Sequence, residues 1–148
     1  MGLFDKVFKS APSGDEKFTQ QESFAAVALA VAGADGSVST QEWNSIVTYI
    51  RRLRIYDNFS GPAFDKLFDK LFSKLKKEGP GALVDAAKDG LGDDLKMTAF
   101  ACAVDIALAD GVLEDDEKDI INQLAEALAV DEKTAISIIE VMIIKNKC

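Results

Sequence analysis

One arrangement of residues occurs twice in the chain, 75 positions apart, and it constrains the fold more than any other feature. The first copy reads A-D-G-S-V-S-T-Q-E at positions 34–42, and the second reads A-D-G-V-L-E-D-D-E at positions 109–117. Each copy follows a stretch rich in Ala, Val and Leu, and each precedes a stretch whose apolar residues have helical spacing. The same unit is therefore predicted twice: a small-residue helix, an Asp-Gly turn and a second helix.

The likeness between the two copies extends over about 30 residues, which indicates an internal duplication. The predicted units span about 24–54 and 99–129. We expect two such units to pack about a pseudo-two-fold axis, with their turns near one another. The matched positions outside the turns include the pairs Ala26 and Ala101, Ala28 and Ala103, Ala32 and Ala107, Ile46 and Ile121, and Leu53 and Leu128.

The rest of the chain also favours helices, because no segment shows the alternation with a period of two that marks a strand. Helices are predicted over 20–33, 40–54, 60–78, 83–88, 93–109 and 115–129, and a last one begins at 131. A chain of 148 residues is long enough for one domain with its own core and short for two. The prediction is an all-α, single-domain bundle of about seven helices, at 15–148. Its last helix should direct Ala135, Ile138, Ile139, Met142 and Ile143 inward.

The first 14 residues are predicted to form an amphipathic N-terminal arm. Leu3, Phe4, Val7 and Phe8 fall on one helical face, and Pro12-Ser13-Gly14 then interrupts the chain. Either the arm packs onto the domain, or it makes a weak contact with a membrane or a partner.

The net charge limits the kinds of molecule that the protein surface attracts. The net charge is −8, with a pI near 4.5, so the surface repels phosphate backbones and favours divalent cations and basic surfaces. No apolar run reaches the roughly 20 residues that span a bilayer, and the start lacks the regions of a signal peptide. These features predict a cytoplasmic protein that does not bind nucleic acid, while its oligomeric state stays open.

Each copy has the form D-G-x-(apolar)-x-x-x-E, which is the second half of an EF-hand calcium loop. The first half is missing, because Val31 and Gly33, and then Ile106 and Leu108, stand where acidic ligands belong. Water or the other copy must therefore supply further oxygens. Calcium is the expected ion, with magnesium, manganese or zinc as alternatives. The predicted metal ligands are the side chains of Asp35, Glu42, Asp110, Glu117, Glu114 and Asp116 and the backbone carbonyls of Ser37 and Val112.

A purely structural interpretation of the same residues is open. Ser39 is a good N-cap residue, Glu42 completes a capping box, and a glycine after a helix serves as its C-cap. The chain would then be a metal-free helical module for protein–protein interaction. Catalysis has little support, since the chain has no His and no Ser or Cys with a visible activating base. A small enzyme using the carboxylates with a metal-bound water is the weakest alternative.

Three stretches together resemble the tellurite-resistance protein TerB family. They are M-G-L-F-D-K-V-F at the start, G-A-D-G-S-V-S-T-Q-E in the middle and L-A-D-G-V-L-E-D-D-E-K later. The resemblance implies an all-helical fold with two pseudo-symmetric halves and an acidic site for divalent metal, usually calcium, at Asp35, Glu42, Asp110 and Glu117. It also implies a bacterial, non-enzymatic role in resistance to tellurite and other stresses. The partners would be other resistance proteins at the inner surface of the membrane.

Overall fold

The computed structural model describes residues 17–109 and 111–148, and every regular element within them is helical. The predicted all-α class and single compact domain are confirmed. The residues of the predicted amphipathic arm, 1–14, lie outside the described part of the chain. The helices are α1 (Gln20–Ala32), α2 (Thr40–Ile50), a 3₁₀ turn (Arg54–Tyr56), α3 (Gly61–Glu78), α4 (Pro80–Lys88), α5 (Asp93–Ala107), α6 (Asp115–Ala127) and α7 (Glu132–Lys145).

Short polar side chains fix where several helices begin. Thr19, Ser39, Ser60 and Asp131 precede α1, α2, α3 and α7, and each side chain accepts a hydrogen bond from the backbone N–H three residues on. Such N-caps satisfy donors that the first turn of a helix leaves without a partner. The predicted capping box of Ser39 with Glu42 is confirmed.

Helix α1 lies at the centre of the molecule. Every residue from Ser23 to Val31 is buried, and α1 packs against α2, α3, α4, α5 and α6. Four alanines in this span, Ala25, Ala26, Ala28 and Ala30, allow neighbouring backbones to come close on several sides. A helix that is apolar all round suits a central position rather than an amphipathic surface one.

Helix α3 covers one side of this core with its stripe of large apolar residues. The spacing of the apolar residues predicts one inward stripe, and five of its six members are buried while Phe72 is half-buried against the core. The buried members are Phe64, Leu67, Phe68, Leu71 and Leu75. The only tryptophan of the chain, Trp43 on α2, packs edge-on against Phe68 with ring centroids 4.4 Å apart. This aromatic contact joins α2 to α3.

Two helix boundaries differ by three or four residues from the sequence-based expectation, and the other predicted boundaries agree within two residues. Helix α2 ends at Ile50 rather than at position 54, because Leu53 is extended and a 3₁₀ turn follows it. Helix α4 begins at Pro80 rather than at Leu83, directly after Gly79. The φ of 86° at Gly79 ends α3, and proline is favoured in the first turn of the next helix.

Helix α7 lies at the edge of the bundle and packs mainly against α5. Ala135 is buried, and Ile138, Ile139 and Met142 pack against the core, as predicted. The prediction for Ile143 was wrong, since its side chain is 51% exposed. The spacing of apolar residues could not fix the limit of the buried face, because α7 carries them all round. In the described residues, no helix is both long and apolar enough to cross a membrane.

Candidate functional site

The first Asp-Gly connection is a compact turn built on the end of α1. The Ala34 N–H bonds to the Val31 carbonyl, and the Gly36 N–H bonds to the Gly33 carbonyl at 2.8 Å. Gly36 has a φ of 92°, which other residues rarely adopt. The Asp35 carboxylate accepts hydrogen bonds from the backbone and the hydroxyl of Ser37, at 3.0 and 3.2 Å. The exposed Asp35 therefore already stabilises its own turn.

The second connection has the same backbone pattern. The Ala109 N–H bonds to the Ile106 carbonyl, the Gly111 N–H bonds to the Leu108 carbonyl at 2.9 Å, and Gly111 has a φ of 79°. Helices α1 and α5 end at corresponding positions of the two copies, and α2 and α6 begin at corresponding positions. Asp110 itself lies outside the described residues. The likeness is therefore local and structural, while the pseudo-two-fold packing of the halves stays a prediction.

The closing glutamates of the two copies cap the helices that follow the turns. The Ser39 N–H donates to Glu42 Oε1 at 3.0 Å, and the Glu114 N–H donates to Glu117 Oε1 at 3.0 Å. The apolar residues between turn and helix, Val38 and Leu113, both pack against the core. The two copies therefore share the turn hydrogen bonds and the glutamate cap, and each glutamate has a structural role whether or not it also binds a ligand.

Both closing glutamates line one cleft of about 510 Å³, which we term the acidic cleft. The end of α1, helix α2, the end of α5, the start of α6 and the end of α7 all contribute to its walls. Among the described residues, the charged groups that line it are three carboxylates and one ammonium, and the other lining residues are polar or apolar. The acidic cleft comprises Ala32, Gln41, Glu42, Ser45, Ile46, Tyr49, Asp105, Ile106, Ala107, Ala109, Glu117, Lys145 and Asn146.

The other predicted ligands that the structure describes do not line the acidic cleft, while Asp110 lies outside the described residues. Asp35, Ser37, Glu114 and Asp116 are exposed on the connections and the first turn of α6, and Val112 is 54% exposed. Within 17–109 and 111–148, no group of three or more acidic, His or Cys side chains is placed to hold a metal ion. The described residues thus bring two of the predicted ligands, Glu42 and Glu117, to one surface.

The third carboxylate of the cleft, Asp105, was missed by sequence reasoning. It is 6% exposed on α5 and accepts three hydrogen bonds: from the Tyr49 hydroxyl at 3.0 Å, from Lys145 Nζ at 3.0 Å and from Asn146 Nδ2 at 2.8 Å. These donors tie α2 and the end of α7 to α5. The available signal was a single carboxylate inside the apolar stretch 99–109, at a position where the first copy has Ala30.

Hydrogen bonding decides the charge of this buried carboxyl. Burial raises the pKa of Asp105, but the hydrogen bonds from its three donors outweigh burial and hold the pKa below its usual range. The side chain is therefore an anion at neutral pH. Burial likewise raises the pKa of Tyr49, and the hydrogen bond and charge of neighbouring Cys102 and Asp105 raise it further. Tyr49 accordingly stays protonated and keeps its donor role.

The thiol of Cys102 has none of the marks of a reactive nucleophile. It sits beside Tyr49 on the inner side of α5, and its burial raises its pKa. A thiol whose pKa is raised holds its proton at neutral pH and attacks poorly. Cys102 therefore acts as a small packing residue.

This geometry defines the class of protein: an all-helical domain with two Asp-Gly connections and a cleft lined by carboxylates. The family model described as tellurite resistance protein TerB matches residues 21–139, which is most of the chain. The chain therefore belongs to the TerB family, and the resemblance seen in the sequence is confirmed. No curated protein and no solved structure matches it significantly.

Proposed function

We propose that this chain is a non-enzymatic divalent-cation-binding protein of the tellurite- and stress-resistance TerB type, with calcium as its ion. The observation that carries the proposal is the meeting of Glu42 and Glu117 in one cleft. These glutamates close two copies of a calcium-loop half that are 75 residues apart in the sequence. Neither copy alone offers the 6–8 oxygens that calcium takes, so a shared site supplies what each half lacks.

The donor atoms present fit a hard cation. The predicted ligands offer only carboxylate and carbonyl oxygens, which calcium and magnesium prefer to softer metals. Asp35, Glu42, Asp110 and Glu117 would hold the ion, with the carbonyls of Ser37 and Val112 and the acidic residues of the second connection. The bound ion would supply two positive charges that link the two connections. Capping uses Oε1 of each glutamate, and a carboxylate has about four acceptor positions, so capping and ion binding are compatible.

Membership of the TerB family supports a proposed cellular location and proposed partners for this protein. We place the protein in the cytoplasm of a bacterium, where it acts with other tellurite- and stress-resistance proteins at the inner surface of the membrane. Its net charge of −8 suits basic partner surfaces and does not suit nucleic acid.

Replacing both cleft glutamates by glutamine separates ion binding from helix capping. Glutamine keeps an oxygen that accepts the capping hydrogen bond, whereas its neutral amide binds calcium weakly. We expect calorimetric titration of the natural protein with calcium to give a defined stoichiometry. At 100 times Kd, calcium should stabilise it by about 2.7 kcal/mol and raise Tm by roughly 5–10 °C. The double variant Glu42→Gln, Glu117→Gln should lose both effects.

The matched control is Glu22→Gln. Glu22 completes a capping box with Thr19 on α1 and lies outside the acidic cleft. This variant should bind calcium as the natural protein does. Absence of any heat or Tm change with millimolar calcium, magnesium, manganese or zinc would refute the proposal and leave the interaction module as the function.

One observation favours that second function. Four large apolar side chains on α7 are exposed, so this helix presents an apolar face that the described chain does not cover. The interaction module predicts that partner binding is independent of divalent ions and is lost when this face is made polar. These residues are Ile136, Val141, Ile143 and Ile144.

A further inference from the structure

We propose that the C-terminal end of α2 is a docking surface for a second copy of this chain, which binds there through the acidic face of its own helix α6. The docking surface, which we term the arginine surface, comprises Arg51, Arg52 and Arg54. The acidic face of α6 comprises Asp115, Asp119 and Glu126. The inference goes beyond the proposed cation binding, since it uses none of the predicted metal ligands.

The arginine surface gathers every arginine of the chain within four positions. All three residues are exposed, and none of them forms an ion pair with the described residues, although the chain has 25 acidic residues and 17 basic ones. The Arg51 guanidinium lies over the ring of Phe64, 5.7 Å from its centroid. Stacking on a ring orients a guanidinium group while its N–H donors stay free for carboxylates. The arginine surface is therefore suited to anionic groups of another molecule.

The corresponding helix of the second copy shows that a helix of this kind ends without such arginines. A shift of 75 positions aligns the arginine surface with Glu126, Ala127 and Ala129 at the end of α6. Basic residues at the end of a helix offset its dipole, but α6 has none in its last turn. Its C-cap N–H, from Leu128, still bonds to the carbonyl four residues back at 2.8 Å. Helix termination therefore does not explain the arginine surface.

Helix α6 carries the opposite charge at the corresponding positions. Positions 40–54 contain three arginines and one glutamate, a net charge of +2, whereas positions 115–129 contain five acidic residues and one lysine, a net charge of −4. Asp115, Asp119 and Glu126 are exposed, and spacings of four and seven residues place them on one face of α6. Both helices begin with a capping box, so the additional acidic residues of α6 are not needed to start it.

The opposite charges of the two surfaces favour a second copy as the occupant. Within one chain, no ion pair joins the arginine surface to the acidic face among the described residues, so both are available to another molecule. Between two copies, each guanidinium group can bind a carboxylate with two hydrogen bonds. The net charge of −8 opposes the approach of two copies, but charges more than about 8 Å apart are screened at physiological ionic strength. The facing charges therefore dominate.

The contact is heterologous, because it joins two different surfaces. A pair of copies keeps one free arginine surface and one free acidic face, so further copies can add at either end. Exposed ion pairs are individually weak, which places self-association at protein concentrations of about 0.1–1 mM in about 0.15 M salt. The expected product is a series of oligomers that grows with concentration.

Analytical ultracentrifugation over this range measures the association. We expect the mean mass of the natural protein to rise with concentration in about 0.15 M NaCl and to return to that of the monomer in about 1 M NaCl. Arg52→Glu with Arg54→Glu should lower the association constant at least about tenfold. The matched control is Lys76→Glu with Lys77→Glu at the exposed end of α3, which changes the net charge equally and should keep most of the association.

An exchange of charges tests the pairing of the two surfaces. Asp115→Lys with Asp119→Lys should abolish self-association, because both surfaces of this variant are basic. An equal mixture of this variant with Arg52→Glu, Arg54→Glu should associate again, since each variant then offers the charge that the other lacks. Circular dichroism establishes that the variants are folded, and Arg52→Gln with Arg54→Gln replaces the glutamate variant if that one is not.

Several results would overturn the proposal. They are a natural protein that stays monomeric up to about 1 mM, an arginine variant that associates as the natural protein does, an equal loss in the lysine control, and a mixture that stays monomeric. Association that survives about 1 M NaCl and is lost when the apolar face of α7 is made polar would place the interface on α7 and also overturn it. Calcium titration of the same variants separates this inference from the proposed function, because each of them keeps every predicted metal ligand.

Discussion

Removing the Asp105 carboxylate should destabilise the protein far more than removing an exposed one. In Asp105→Ala, the Tyr49 hydroxyl and the Asn146 amide lose a charged acceptor, which costs about 1–2 kcal/mol each. The bond from Lys145 adds less than about 1 kcal/mol because that side chain is 58% exposed. Alanine returns roughly 0.5 kcal/mol through its helix propensity. The expected net loss is about 2–4 kcal/mol.

Thermal unfolding followed by circular dichroism without added metal gives the measurement. For a chain of this size, the loss corresponds to a fall in Tm of roughly 5–15 °C. Asp119→Ala is the matched control, since Asp119 lies inside α6 with an exposed side chain and should change Tm by no more than about 2 °C. If both variants melt at the temperature of the natural protein, the hydrogen bonds to Asp105 only offset the cost of burying it and give no net stability.

Three further changes away from the cleft have defined outcomes. Ser23→Ala should raise the unfolding free energy by about 0.5–1.5 kcal/mol in denaturant titration, because the Ser23 hydroxyl is buried without a hydrogen-bond partner in the described structure; a loss would mean that an unseen partner exists. Gly90→Ala should cost about 2–3 kcal/mol, since a Cβ there would lie 2.6 Å from the Phe18 carbonyl oxygen and even closer to Ser23; a melting curve like that of the natural protein would contradict the close packing. Glu22→Gln should reduce the loss of stability on acidification: burial raises the pKa of Glu22, but the hydrogen bond and charge of Lys70, 2.6 Å away, lower it overall. Because the pKa of Glu22 is lower in the folded than in the unfolded state, its carboxylate stabilises the fold at pH values above the unfolded pKa. This stabilisation is lost as the pH falls through the folded pKa, so the difference in unfolding free energy between variant and natural protein should shrink from pH 6 to about pH 3. A difference that stays constant with pH would exclude this linkage.

Local patterns in the sequence were sufficient for most of the fold. The helix starts follow from caps such as Ser39 and Ser60, and the stops follow from glycines such as Gly79, since these act within a few residues. The buried stripe of α3 follows from its spacing. The end of α2 was not predictable in the same way, because the apolar pattern continues through Leu53 while the backbone becomes extended there.

The candidate site was predictable only where it is local. The capping roles of Glu42 and Glu117 follow from neighbouring residues, whereas their meeting in one cleft depends on how α2 and α6 pack around α1. The hydrogen bonds of Asp105 could not be predicted from the sequence, because Tyr49 and Asn146 are 56 and 41 residues away from it. A single carboxylate in an apolar stretch signals a buried partner but does not identify it.

The central position of α1 has a consequence for how the chain can be divided. Helix α1 packs chiefly against α4 and α5, which come from the other side of Gly79, so neither fragment of a chain cut at that glycine encloses a core of its own. The repeated copies therefore do not correspond to two autonomous folding units. Cleavage at Gly79 should yield fragments that are disordered apart and regain structure when mixed, which makes this connection a natural place to build a split reporter of assembly.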